Sequence, residues 1–120
     1  MRNPTKLDVI PESEELALLV YQITREFPKD ERFGLTSQIR RSAVSVGSNI
    51  VEGSLRQGNR AFLAFLHQAL GSAAELEFQL RLAVRLDFGR ADSVVLTLDQ
   101  ANKVKRMLIK LITALRTRGE

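Results

Sequence analysis

The side chains able to do catalysis or hold a ligand are few. They are His67, the sole histidine, the carboxylates of Glu52, Glu75 and Glu77, and a polar run that carries Arg40, Arg41 and Asn49 up to Glu52. A histidine acts as general base beside a nucleophile it activates and a third group that orients it, and no nucleophile-elbow sequence accompanies His67. Di-metal helical bundles draw Glu-x-x-His pairs from two helices, yet Ala64 stands three residues before His67 and no second histidine exists. The absence of cysteine removes thiolate metal sites and disulfides, and suits a reducing compartment. Paired carboxylates do acid/base work when their surroundings push their pKa values apart. Glu52, Glu75 and Glu77 can converge for that purpose if their helices are antiparallel neighbours. The structural alternative has Glu52 or Glu75 bonding Arg40, Arg41, Asn49 or Ser72 between helices. The glycines at 34, 47, 53, 58, 71 and 89 are too scattered to cradle a phosphate. No catalytic, cofactor-binding or metal-binding residue emerges, and the expectation is a protein that is not an enzyme and needs no cofactor.

The elements that carry these residues read as helices. After an irregular lead-in, Pro11 suits a first turn, glutamates follow at the positive end of the dipole, and Leu16, Leu19, Val20, Ile23 and Phe27 line one face until Pro28 ends the run. The charged linker KDERFG leads to a second helix with Thr36 or Ser37 as its cap. In it Leu35, Ile39, Ala43, Val46, Ile50 and Gly53 make a core stripe, and Gln38, Ser42, Ser45, Asn49, Glu52 and Arg56 a polar one. Val44, Val51 and Leu55 form a second apolar set on the far side, more than a monomeric bundle requires.

Gly58 reads as a stop and Asn59 as the next cap. The third helix has a main face of Phe62, Phe65, Leu66, Ala69, Ala73, Leu76, Leu80 and Val84, and a second apolar set of Leu63, Ala64, Gly71, Ala74, Phe78 and Leu82. Only Gln68, Ser72, Glu75 and Gln79 stay plainly polar, so burial on most sides, within an oligomer, is expected. Gly47, Gly53 and Gly71 each cost a helix about 1 kcal/mol relative to Ala, which close helix crossings would justify. The fourth helix opens at Asp92 or Ser93 and buries Val94, Leu98, Ala101, Val104, Leu108, Leu111, Ile112 and Leu115. Asp99, Lys103, Arg106 and Lys110 run opposite, continued by Arg116 and Arg118. The expected fold is all-α, an up-down-up-down antiparallel four-helix bundle in a single domain over 1–120, with helices near 11–27, 36–56, 60–86 and 92–116.

Composition agrees with one globular domain: 120 residues, 44% hydrophobic and 27% charged. Residues 1–33 hold five basic and seven acidic side chains, and residues 34–120 hold thirteen and seven, so the excess of positive charge lies in the later helices. That imbalance permits a polyanionic partner. The first fifteen residues lack the apolar core of a secretion signal, and the longest uncharged run, 61–74, falls short of the ~18 apolar residues of a membrane span. A soluble, cytoplasmic protein with no membrane partner and no evident small-molecule substrate is expected.

Several fixed spacings resemble a known family. Tyr21-x-x-Thr24-x-x-Phe27-Pro28, Glu31-Arg32-x-Gly34-Leu35, Gln38-Ile39-Arg40-Arg41-x-Ala43-x-Ser45, Ser48-Asn49-Ile50-x-Glu52-Gly53, Phe62-Leu63-x-Phe65-Leu66 and Ala69-x-Gly71-Ser72-x-x-Glu75-Leu76 resemble the four-helix-bundle proteins of bacterial 23S rRNA intervening sequences. The chain departs from that pattern with Ile10-Pro11 in place of a Trp, Val51 in place of Ala, and Ala64 in place of a basic residue. The resemblance implies a cytosolic bundle that assembles as a ring-shaped homopentamer and has no known enzymatic activity. The accessory variability protein of diversity-generating retroelements is a similar pentamer that binds nucleic acid.

The expected function is thus a homo-oligomer binding RNA or DNA through a basic surface without sequence specificity; the alternative is a structural or protein-adaptor oligomer. Lys103, Arg106, Lys110, Arg116, Arg118, Arg40, Arg41, Arg56 and Arg60 are the candidate phosphate contacts. Val44, Val51, Leu55, Leu63, Gly71, Ala74, Phe78 and Leu82 are the candidate oligomer interface. Asn49, Glu52, Ser72 and Glu75 are the structural polar motif. A stacking platform for single strands is not expected, because the phenylalanines fall mainly on core stripes.

Overall fold

A computed structural model describes residues 7–117. Its elements are α1 (Val9–Thr24), a 3-10 turn (Lys29–Glu31), α2 (Leu35–Ser54), α3 (Asn59–Arg85) and α4 (Ala91–Thr117), with no strand among the described residues. The substantial interfaces are α1/α2, α2/α3, α3/α4 and α4/α1, so sequential helices are neighbours and α2 lies across the bundle from α4. The bundle measures 46 × 21 × 20 Å. The all-α expectation holds, with shifted helix ends.

Each shift has a local cause. α1 begins at Val9 and carries Pro11 in its first turn, where a missing N–H breaks no helical bond. It ends at Thr24, not Phe27, because the residue before Pro28 is steered out of the α region. The Thr24 hydroxyl donates to Val20 O at 2.7 Å, and Phe27 N–H closes a four-residue turn onto Thr24 O. Phe27 leaves the helix yet stays buried, its ring 5.6 Å from that of Phe88 in the α3–α4 turn. Neither Thr36 nor Ser37 caps α2. The 3-10 turn swings Glu31 beneath the helix, where its Oε1 accepts Leu35 N–H at 2.9 Å, and Gly34 is the N-cap. α2 stops at Ser54, and Gly58 opens α3 instead of closing α2. Its φ of 78° with ψ of 153° belongs to glycine's conformational range and reverses the chain.

Most stripe residues named above are buried, including Leu16, Ile39, Val46, Ile50, Phe62, Leu66, Leu80, Val104 and Leu108. Each such side chain contributes about 1.5–3 kcal/mol of transfer free energy. Leu19 is an exception, partly exposed in the α1/α4 groove beside Leu96. Phe65, Val84, Leu98 and Leu111 are only partly buried. The core also takes polar groups. Thr97 is fully buried and donates to Ser93 O, and Gln79, expected on the polar strip, is 4% exposed.

Three contacts index α2 against α3. Ser42 Oγ donates to Glu75 Oε1 at 3.5 Å, the hydroxyls of Ser45 and Ser72 lie 2.9 Å apart, and a Cβ built on Gly53 would fall 2.5 Å from Phe65 Cβ. Gly53 therefore permits the closest helix approach. At Gly47 a Cβ would meet Ser13 at an ordinary 3.5 Å, and at Gly71 nothing within 4 Å.

Candidate nucleic-acid and assembly surfaces

The basic residues do not form one patch. On α4, Lys103 Nζ lies 3.2 Å from Glu12 Oε1, which also accepts Gln100 Nε2 at 2.8 Å. The hydrogen bond from Gln100, then that from Lys103, lowers the Glu12 pKa, so this carboxylate neutralises Lys103. Arg106 and Lys110, one turn apart, are exposed and have no carboxylate partner among the described residues. Arg116 is exposed roughly 80° from Arg106 and 120° from Lys110 around α4. Arg118 lies outside the described residues. Across the bundle, Arg40 donates from Nε to Thr24 Oγ1 at 2.8 Å and lies over the Tyr21 ring at 4.6 Å, whereas Arg41 is exposed. Arg56 pairs with Glu52 at 2.8 Å and covers the Phe65 ring at 5.0 Å; Arg60 is exposed at the start of α3.

The three carboxylates do not converge. Glu52 spends itself on Arg56 at the surface, Glu75 meets Ser42, and Glu77 faces α4. Glu77 is 4% exposed, with Lys105 Nζ at 2.6 Å and Asn102 Nδ2 at 3.1 Å. Burial resists its ionisation, but the hydrogen bonds from Lys105 and Asn102 prevail and hold its pKa below the ordinary value. Asn49 donates to Ser45 O at 2.9 Å and Ser45 Oγ at 3.1 Å, within its own helix. Ser72 and Glu75 are the members of the polar motif that bridge helices. His67 is exposed on α3. Among the described residues no group of three His, Cys, Asp or Glu could hold a metal ion, and no helix is long and apolar enough to cross a membrane.

Two apolar faces stand uncovered. On α2, Val44, Val51 and Leu55 fall within roughly 40° of arc and line, with Ile10 of α1, a groove of about 740 Å³. On α3, exposed Gly71, Ala74, Phe78 and Leu82 fall within roughly 80°. Leu63 differs from them, being packed partly against the core.

A further surface brings two of the candidate phosphate contacts, Arg40 and Arg41, together with aromatic rings that lie on no core stripe. Tyr21, Arg32, Phe33, Thr36, Arg40 and Arg41 meet beside Ser37, Val44 and Ser45 in a groove of about 610 Å³ between the end of α1 and the start of α2. Phe33 is 87% exposed, the most exposed large hydrophobic residue described. Its place in a charged linker, off every helical stripe, was the signal in the sequence.

These features define a small helical-bundle protein whose distinctive chemistry lies on its outer surfaces, with two uncovered apolar faces and one arginine-lined groove among the described residues. The chain belongs to the 23S rRNA-intervening sequence protein family, which it matches over residues 5–110. A crystal structure of a protein of unknown function from the S23 ribosomal protein family of Bacteroides thetaiotaomicron is similar at 27% identity and a TM-score of 0.80, over 87% of this chain and 97% of that one. No curated protein matches the chain.

Proposed function

We propose that this chain works in the cytoplasm as a non-enzymatic homo-oligomer that engages RNA or DNA through phosphate contacts, without reading sequence. The observation that carries the reading is the pair of uncovered apolar faces on α2 and α3. They lie on different helices, so packing one copy's α2 face against the next copy's α3 face would make a heterologous contact, which generates a ring when the rotation between copies closes. Five is the copy number that the family resemblance implies. A ring repeats every exposed cation, and Arg41, Arg60, Arg106, Lys110 and Arg116 supply charges with no carboxylate partner among the described residues. Counterion release on phosphate binding then gives a steep salt dependence. The pairing of Lys103 with Glu12 favours the adaptor alternative, because it withdraws one nominated charge.

Two measurements separate these readings. Light scattering at micromolar concentration should return a multiple of 13.5 kDa, and Val51→Asp should lower it; a monomer in the unaltered chain refutes the assembly. Binding to a labelled RNA or DNA should weaken steeply between about 50 and 200 mM salt, with a shallower slope in Arg106→Ala/Lys110→Ala. An oligomer that binds neither nucleic acid near 50 mM salt is the adaptor.

A further inference from the structure

We propose that the groove between the end of α1 and the start of α2 binds a nucleobase–phosphate unit, with the base stacked on Phe33 and the phosphate held by arginine. The proposal rests on the reading that the chain engages nucleic acid, and adds single-stranded recognition to it.

The charge in the groove is one-sided. Arg32, Arg40 and Arg41 line it, and no lining residue is acidic. Glu31, the carboxylate next to Arg32 in sequence, is occupied in accepting Leu35 N–H. Arg40 is held in place by Thr24 and Tyr21, and only its Nε–H is spent on a hydrogen bond; its terminal N–H groups have no acceptor among the described residues. Arg41 has no partner among the described residues and is exposed. A pre-positioned guanidinium beside a free one suits a phosphate, which accepts the planar donor fork in a bidentate manner.

The ring chemistry is equally specific. The Arg32 guanidinium lies 4.9 Å from the Phe33 centroid, and Phe33 is otherwise in water. One face is therefore covered by a cation, and the other is free for a planar base; such stacks are sequence-tolerant because every base has a π-face. The groove's 610 Å³ lies within the ~300–1,000 Å³ of small-ligand sites. The groove wall also holds an unpaired hydroxyl. Thr36 lines the groove, is 6% exposed, and its Oγ1 is buried with no hydrogen-bond partner. Buried hydroxyls are nearly always paired.

The test is anisotropy of a fluorescein-labelled ten-nucleotide single strand and of a duplex of equal length, with adenosine monophosphate as a third probe. Phe33→Ala, at an exposed position, should weaken single-strand binding about 5- to 100-fold at unchanged salt slope and leave duplex binding alone. Arg41→Ala should weaken it and reduce the slope by about 1. Single-strand affinity within twofold of the unaltered protein in Phe33→Ala overturns the proposal while leaving phosphate-driven binding intact. The same holds if Phe33→Ala changes only the oligomeric mass, which makes the groove a contact between copies. Binding of neither single strand nor duplex overturns both readings. Monophosphate bound as tightly as the strand assigns the groove to a free nucleotide, and a strand bound more tightly assigns it to nucleic acid.

Discussion

Replacing Lys105 with Met tests the most deeply buried ion pair among the described residues, which joins α3 to α4. In the native protein Glu77, 4% exposed, receives Lys105 Nζ at 2.6 Å and Asn102 Nδ2 at 3.1 Å. The substitution leaves a carboxylate in the α3/α4 interface with the Asn102 amide as its remaining hydrogen-bond donor. Removing one partner of a fully buried pair costs about 3–5 kcal/mol. The Lys105 side chain is 29% exposed, so water reaches part of the site and the expected loss falls to about 2–3 kcal/mol. At this chain length that lowers Tm by roughly 6–12 °C, read by circular dichroism at one fixed protein concentration. The pH dependence is the sharper readout. In the native protein the Glu77 pKa lies below its unfolded value of about 4.3, so its stabilisation is complete above that pH and is lost as pH falls through the folded pKa. In Lys105→Met, burial without the ammonium raises the folded pKa above the unfolded one. The penalty is then present at neutral pH and disappears below about pH 4, so the two proteins converge in acid. Urea melts at pH 7 and pH 3.5 would show this. A loss under about 0.5 kcal/mol at pH 7, or a gap that stays constant in acid, refutes the reasoning.

Two glycine substitutions probe the helix crossings. Gly53→Ala sets a Cβ 2.5 Å from Phe65 Cβ, and this overpacking of about 1–3 kcal/mol should exceed the ~1 kcal/mol gained in helix propensity, a net fall in urea midpoint. Gly71→Ala meets nothing within 4 Å, so the isolated subunit should gain up to about 1 kcal/mol, while a reduced oligomeric mass by light scattering would show that a neighbouring copy approaches at that point.

The helices were legible because their core stripes are strongly periodic: Ile39, Ala43, Val46 and Ile50 share one face in sequence and one core in space. Helix ends were less legible, because Glu31 reaches Leu35 N–H only through a 3-10 turn that no periodicity marks. The pairing of Lys103 was not legible for a different reason. Lys103 looks free on a helical wheel, but its partner Glu12 lies 91 positions earlier, brought alongside by the α1/α4 interface. Phe33 belongs to no helix, so helical periodicity does not mark it.

The three contacts that index α2 against α3 also decide where the chain can change in length. Ser42–Glu75, Ser45–Ser72 and Gly53–Phe65 run antiparallel along one interface, each pairing a later α2 position with an earlier α3 position. One residue inserted between Ser45 and Gly53 would rotate the Gly53 crossing by about 100° relative to the serine pair, losing either the close approach or the hydroxyl contact. A residue added within 55–58 lies beyond all three and costs only a small increment of loop entropy. An added residue should therefore be tolerated at the turn and be disruptive between Ser45 and Gly53, where the spacing itself carries the information.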